Sequence, residues 1–446
     1  MTFKVAVTGQ RRREILALAL PIIGGMTSQN ILNLVDTAMV GRLGAEALAG
    51  VGMVSFLAFL SVAAVTGMSS AVQALAARRV GAGDSRNSAV SLNGGLLVAL
   101  VYGIPVSILL WFAAAPIVAA LLSDANAARE GAQYFEMRVL AIIFVGMNFA
   151  FRGFWSAVGQ TRLYMRTLVI MHVINVFLNY ALIFGHFGFP ALGTQGAGLG
   201  TAISMMIGTG IYFYLALRHA RGSGFLERMP SREQMAGLLR LGLPASIQQV
   251  LFAGGFAVLF WIIGQVGVRE LAVANVLINI TLVAILPGMG FGMAAATLSG
   301  QALGREDTDD AYRWAWDVSR VGSIVFIGLG LLMLVPTRQV LALFLADPSL
   351  VELGVWPLRL VGIGILIDGI GLILMQALLG VGASGVVMVV GVGMQWLVFL
   401  PLAYLLGPVL GHGLLDIWLA MNVYRALQAG IFAWVWQRRR WQHIQI

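Results

Sequence analysis

The chain is predicted to be an all-α polytopic membrane protein, with twelve transmembrane helices in two pseudo-symmetric six-helix bundles, and three observations predict this. It is 59% hydrophobic and only 11% charged, a balance that soluble domains do not show. Apolar runs recur from end to end, each as long as the roughly 20 residues needed to cross the hydrocarbon of a bilayer. The second half also repeats the first at a fixed offset.

Taken in order, the runs fall at 14–39, 47–76, 88–111, 133–156, 162–185, 195–218, 238–264, 271–299, 312–335, 353–379, 383–406 and 413–437. Several exceed one crossing, as a tilted helix allows. Arg11, Arg12 and Arg13 before the first run give the start of the chain the look of a signal peptide. That run continues past cleavage length without a small-residue site, so it reads as a retained first helix.

Charge sets the orientation. Lys4 and Arg11 to Arg13 precede the first run, and Arg438 to Arg440 follow the last. The positive-inside rule then places both termini in the cytoplasm, with the chain in the cell inner membrane. Alternate loops agree: Arg78, Arg79 and Arg86, then Arg152, Arg162 and Arg166, then Arg218, Arg221, Arg228, Arg232 and Arg240 all fall inside. The formal charge of +9 is thus a topology signal, and no nucleic-acid partner is expected.

Shifting the sequence by 223 residues, half of 446, needs no gap. Pro21, Gly41, Gly44, Gly67, Gly81 and Asp84 then fall on Pro244, Gly264, Gly267, Gly290, Gly304 and Asp307. An even number of helices per repeat gives both copies the same orientation, related by an axis along the membrane normal. The expected organisation is an N-terminal bundle over 1–217, a cytoplasmic linker over 218–240 and a C-terminal bundle over 241–446. Duplicated bundles of this kind carry a substrate path and work by alternating access. Pro21 and Pro244 each remove a hydrogen bond inside the first helix of their repeat.

Polar residues within the runs break the symmetry. Gln29, Asn33 and Asp36 are spaced i, i+4, i+7 and share one helix face. His172, Asn175 and Asn179 form a similar stripe in the fifth run, and Thr201 and Ser204 stand in the sixth. At the 223-residue shift Asp36 becomes Leu259, Asn175 becomes Val398 and Asn179 becomes Leu402. An intramembrane carboxylate costs roughly 2.5–3.5 kcal/mol on insertion scales, and its loss from the other copy favours a site over architecture. Asp36 among amide oxygens can take up a proton, because burial disfavours its charged form. The same oxygens can ligate a hard cation such as sodium.

With those residues in place, the chain resembles the multidrug and toxic compound extrusion (MATE) family. Asn33-Leu-Val-Asp36-Thr-Ala-Met-Val-Gly41 resembles its first-helix signature, Val80-Gly81-Ala-Gly-Asp84 and Leu303-Gly304-Arg-Glu-Asp307 its paired inner loops, and Asn175-Val-Phe-Leu-Asn179-Tyr its fifth-helix motif. Gly153 to Gln160 resembles the end of the fourth helix, and Tyr134 to Arg138 looks like the DinF-type branch. The resemblance implies export of organic cations or amphipathic drugs by antiport with protons or sodium. It makes Asp36 the coupling acid, with Asn175, Asn179 and Thr201 lining the cation site. Gln29, Asn33, Tyr134 and His172 are candidate substrate-lining residues. Asp368 resembles an acid that some relatives carry in helix ten, but Phe252 stands where a partner glutamate belongs, so Asp368 is a buried acid without an assigned role. Structural pairing with Arg359 or Gln376 is the competing account of it.

A lipid-linked precursor flippase of the same superfamily is the alternative function, with a channel or embedded enzyme further behind. No cofactor is expected. Cysteine is absent, which removes thiolate sites and nucleophiles together. Lys4 is the only lysine, so there is no phosphate-binding loop lysine. His172, His186, His219, His412 and His443 form no metal-binding spacing, and no enzyme activity is expected. Partners are expected to be small amphipathic or cationic molecules and the bilayer, and a closed two-bundle protein needs no second copy.

Overall fold

A computed structural model of the chain describes residues 7–444; Lys4 lies outside them. The described chain is helical almost throughout. In order come α1 (Gly9–Gly41), α2 (Ala45–Thr66), α3 (Met68–Gly81), α4 (Val90–Leu121), α5 (Ala125–Val139), α6 (Ile142–Ala157), α7 (Thr161–Phe184) and α8 (Gly193–His219). The second half supplies α9 (Arg232–Val266), α10 (Val268–Gly304), α11 (Thr308–Leu334), the short α12 (Thr337–Ala342), α13 (Pro348–Gly380), α14 (Ser384–Val392), α15 (Leu400–Tyr404) and α16 (Leu414–Gln437).

Among the described residues ten segments are long and apolar enough to cross a bilayer, and α5 with α6 add an eleventh. The run expected at 133–156 is therefore a broken span, bent by 50° between Val139 and Ile142. The twelfth is α16, whose Asp416 and Arg425 dilute its hydropathy. Its 24 residues extend about 36 Å at ~1.5 Å per residue, enough for the hydrocarbon. The span Ser384–Val409, which holds α14 and α15, is widened by π-helical turns at 393–399 and 405–409. There Gln395 and Trp396 donate to the carbonyls of Phe252 and Leu251 in α9, at 3.3 and 3.0 Å.

The helices group into two compact units, Gly24–Ser246 and Met1–Ile23 with Ile247–Ile446. Their borders are equivalent under the 223-residue repeat and lie two to three residues after Pro21 and Pro244. Each repeat's first helix thus begins in one unit and continues in the other, through a proline that lacks the backbone donor holding a helix straight. The segment 218–240 belongs wholly to the unit of α2 to α8. It is tied there by buried Asn93, whose amide donates to the carbonyls of Gly224 and Arg228 at 2.9 Å each and accepts from Leu226 N at 3.1 Å.

In the Gly24–Ser246 unit, α7 and α8 pack closely because small residues recur every fourth position of α8, at Gly196, Gly200, Ser204 and Gly208. Such a stripe lets backbones approach without a hydrophobic driving force between helices. Added Cβ atoms at Gly196, Gly200 and Gly208 would meet the Leu182 carbonyl, the Asn179 amide oxygen and Met171. The α7 helix ends on Gly185, whose φ of 75° suits a residue without Cβ.

The other unit is centred on an apolar cluster that includes Leu259, Ile263, Leu277, Val361, Phe399 and Trp418. Near the start of α1, Arg11 pairs with Asp317 at 2.7 Å and Asp310 at 2.6 Å, and its guanidinium stacks 3.6 Å over the Trp314 ring. Asp317 is buried, so removing Arg11 leaves its carboxylate with Arg320 as its remaining ion-pair partner among the described residues. Arg11→Leu is expected to cost about 2 kcal/mol, read as a lower thermal midpoint in detergent. Arg221→Leu, which breaks an exposed pair with Glu227, should barely move it; equal midpoints for the two variants would contradict this.

The N-cap of α13 gives a pH prediction. Asp347 accepts from Ser349 N at 2.8 Å, and the Ser349 hydroxyl and amide together hold this exposed carboxyl below its usual range. A depressed folded-state value means the cap contributes fully above the ordinary carboxylate range, about pH 4, and fades as pH falls through the lower folded value. The gap in thermal midpoint between the native chain and Asp347→Asn should be present at pH 6 and shrink on acidification. A gap independent of pH would refute it.

Candidate functional site

The site is built on one face of α1 and one of α7, both inside the Gly24–Ser246 unit. Asp36 is half-buried, whereas Asn33 and Thr37 beside it are exposed. The carboxylate Oδ1 accepts a 2.9 Å hydrogen bond from Asn179 Nδ2. The same amide nitrogen donates to Asn175 Oδ1 at 3.1 Å, so two acceptors fix which way the Asn179 amide points. Asn175 in turn donates to Ser204 Oγ at 3.1 Å, and Ser204 donates to the Thr201 carbonyl at 2.8 Å. A directed chain therefore runs from Asp36 through two buried asparagines to the backbone of α8. Asn179 Oδ1, turned away toward Gly200, is buried and meets no donor among the described residues.

A second polar group lies one to two turns earlier on the same faces. Buried His172 meets Gln29 Oε1 through Nε2 at 3.0 Å and Ser28 Oγ through Nδ1 at 2.7 Å. Gln29 Nε2 donates to Asn33 Oδ1 at 3.1 Å. Because Gln29 spends its donor on Asn33, its oxygen faces the ring, and the geometry assigns the proton of neutral His172 to Nε2.

The structure thus brings Asp36, Asn175 and Asn179 into one network and Gln29, Asn33 and His172 into another. Thr201 joins the first through its carbonyl; its hydroxyl donates to Ala197 O at 2.9 Å in its own helix. Tyr134 stands outside both, packed against an apolar cluster that includes Val40, Val51 and Ala197. Sequence reading missed Ser28 and Gly200, and used Arg138 only as part of a motif. Arg138 lies within electrostatic reach of Asp36, and its Nε is buried with no hydrogen-bond partner among the described residues. The i+4 spacing of small residues in α8 could have pointed to Gly200.

The repeat-equivalent positions show what the polar network replaces. Leu259 fills an apolar core, Val398 and Leu402, the counterparts of Asn175 and Asn179, are exposed apolar side chains, and Tyr424, the counterpart of Thr201, stacks on Phe399 at 4.5 Å. His172 and Gln29 correspond to Gln395 and Phe252, which also touch, but through the Phe252 carbonyl. The contact survives while the chemistry changes. Asp368 in α13 is half-buried and ion-paired with Arg425 of α16. That corrects the expected partners: Arg359 instead lies 5.1 Å over the Trp356 ring.

Among the described residues no group of three or more His, Cys, Asp or Glu side chains could hold a metal ion. Around Asp36 the nearest amide presents N–H rather than oxygen, an arrangement suited to a carboxyl group that gains and loses a proton. Sodium at this point would require Asn179 to turn over.

Two six-helix repeats, the first carrying the Asp36 network and the second the Asp368–Arg425 pair within its spans, are the architecture of a multi-pass membrane transporter. The MatE family model matches residues 21–181 and 244–405, one match per repeat, and the chain belongs to that family. A Pseudomonas aeruginosa protein named "Probable multidrug resistance protein NorM" is 31% identical over 425 residues, covering 91% of this chain and 85% of its own. A Thermotoga maritima protein of the same name is 25% identical over 419 residues, covering 92% and 89%. Among solved structures, an outward-facing MATE family multidrug resistance transporter superposes with a TM-score of 0.89 at 20% identity, covering 98% of this chain and 97% of that one. A transporter of the same superfamily from Pyrococcus furiosus gives 0.88 at 21% identity, with the same coverage. At these identities the structural likeness speaks for the fold.

Proposed function

We propose that the protein is an antiporter that exports amphipathic or cationic small molecules by alternating access, driven by inward movement of protons bound and released at Asp36. The observation that carries this reading is the placement of Asp36. Its carboxylate is half-buried and accepts from the buried amide of Asn179, and its repeat counterpart is a buried leucine. A group with no fixed counter-cation in its hydrogen-bond network can gain or lose one as the protein changes state. Asp36 also lies five residues before the end of α1, close to the outer surface in the orientation that the arginine-rich loops indicate.

In the proposed cycle the outward state takes up a proton at Asp36, substrate leaves, and the neutralised protein returns inward. One charge crossing 100 mV carries about 2.3 kcal/mol, and a pH gradient adds to it. Donation from Asn179 opposes loss of charge at Asp36, so the amide chain sets how readily the proton binds. Asn175 orients that Asn179 donor, and Gln29, Asn33 and His172 offer polar contacts along the same face to a bound substrate. The names of the relatives support drugs as the substrate class. The bilayer is the cell inner membrane, with both termini cytoplasmic.

The test is efflux of a fluorescent organic cation from proteoliposomes under separately imposed gradients. Export under a proton gradient alone is the expected result. Export under sodium alone, with none under protons, would overturn the proton reading and imply that Asn179 turns its oxygen toward Asp36.

A further inference from the structure

The second intramembrane carboxylate is not free to act as the first does. Asp368 is held by Arg425, and at the 223-residue shift this pair becomes Val145 and Ala202, so it belongs to one repeat only. The pairing is end-on, through Nη1 of the guanidinium to one carboxylate oxygen, and leaves Arg425 Nε buried with no hydrogen-bond partner among the described residues. An orphaned buried donor carries a desolvation cost that a ligand can relieve. Asp368, Arg425, Asn422 and Thr281 line a cleft of about 30 Å³, enough for a carboxylate or about two waters. Arg425 and Thr281 also border an adjoining pocket of about 10 Å³ whose other walls include Phe256, Ile278 and Ile285. The cleft thus combines a polar tip with an apolar flank.

We infer that Arg425 is a binding site for the carboxylate of an amphipathic substrate, with Asp368 as the resident anion that the substrate displaces. A guanidinium binds carboxylate best side-on, through Nε and one Nη together, and Nε is the nitrogen that Asp368 leaves unused. The apolar body of the ligand rests toward Phe256, Ile278 and Ile285. Asp368 then acts as a competitor that keeps Arg425 from holding anionic groups too tightly. This rests on the exporter reading and adds a substrate class, amphiphiles bearing a carboxylate, at a site remote in sequence from Asp36.

Rhodamine B, which carries a free carboxylate, and its ethyl ester, which does not, form the probe pair. Their affinities for detergent-purified protein are read by fluorescence polarisation. Asp368→Asn removes the competitor and is expected to tighten rhodamine B about tenfold while leaving the ester unchanged. Arg425→Gln should abolish the difference between the two dyes, and Arg425→Lys, which keeps the charge but loses the fork, should restore it only in part. Thermal melts confirm which variants fold. Parallel shifts for both dyes in folded variants, or no tightening of the acid in Asp368→Asn, would overturn the inference and leave the pair as a clasp between α13 and α16. Failure of gradient-driven ester efflux, with the affinities behaving as expected, would instead overturn the exporter reading alone.

Discussion

Asp36→Asn is expected to reduce gradient-driven export to the level of protein-free liposomes. The substitution is nearly isosteric and removes only the ability to bind a proton, so the helix face and its neighbours keep their shape. Asn179 retains an acceptor, because the new amide oxygen can take the place of Oδ1 in the 2.9 Å bond. Substrate affinity should therefore stay within a factor of about 3, less than 1 kcal/mol, while uphill transport is lost. Retained uphill export by a folded variant would falsify an ionisable Asp36 as the coupling group.

Gly200→Ala is expected to impair transport nearly as severely, although residue 200 touches neither ion nor substrate in the proposed mechanism. A Cβ there would overlap Asn179 Oδ1, and the α7–α8 contact is too close to absorb it. Overpacking of this kind costs about 1–3 kcal/mol. Here the yielding group is the amide that donates to Asp36, and hydrogen bonds to charged groups contribute about 1.5–3 kcal/mol. The expected result is a lower thermal midpoint together with a shifted pH dependence of export. Gly210→Ala, in open space on the same helix, should change neither. Normal coupling in Gly200→Ala would mean that the Asn179 donor is dispensable.

How much of this could be read beforehand follows from the reach of each signal. Gln29, Asn33 and Asp36 share a face by spacing alone, as do His172, Asn175 and Asn179, and the duplication supplied a control copy in which Asp36 becomes Leu259. The structure joins those residues in two hydrogen-bonded groups. The pairing of Asp368 with Arg425 was not legible, because 57 residues and three helix ends separate them and neither lies in a repeated motif. The role of Gly200 was hidden for a different reason: a glycine shows its function only through what approaches it. The break between α5 and α6 was missed because no proline or glycine marks the turn between Val139 and Ile142, while the amphipathic residues from Ala125 onward extend the helix outside the window 133–156. The borders near Ile23 and Ser246 were equally invisible, since Pro21 and Pro244 mark positions where a helix can change company without showing that it does.

The central claim is that Asp36 itself binds and releases the coupling ion. Infrared difference spectra of the reconstituted protein, recorded between high and low pH and again on adding sodium, test it most directly. The account predicts a carboxyl band that appears on acidification in the native chain, is unaffected by sodium, and is missing in Asp36→Asn. The same band persisting in the variant would place the protonation elsewhere and contradict the claim.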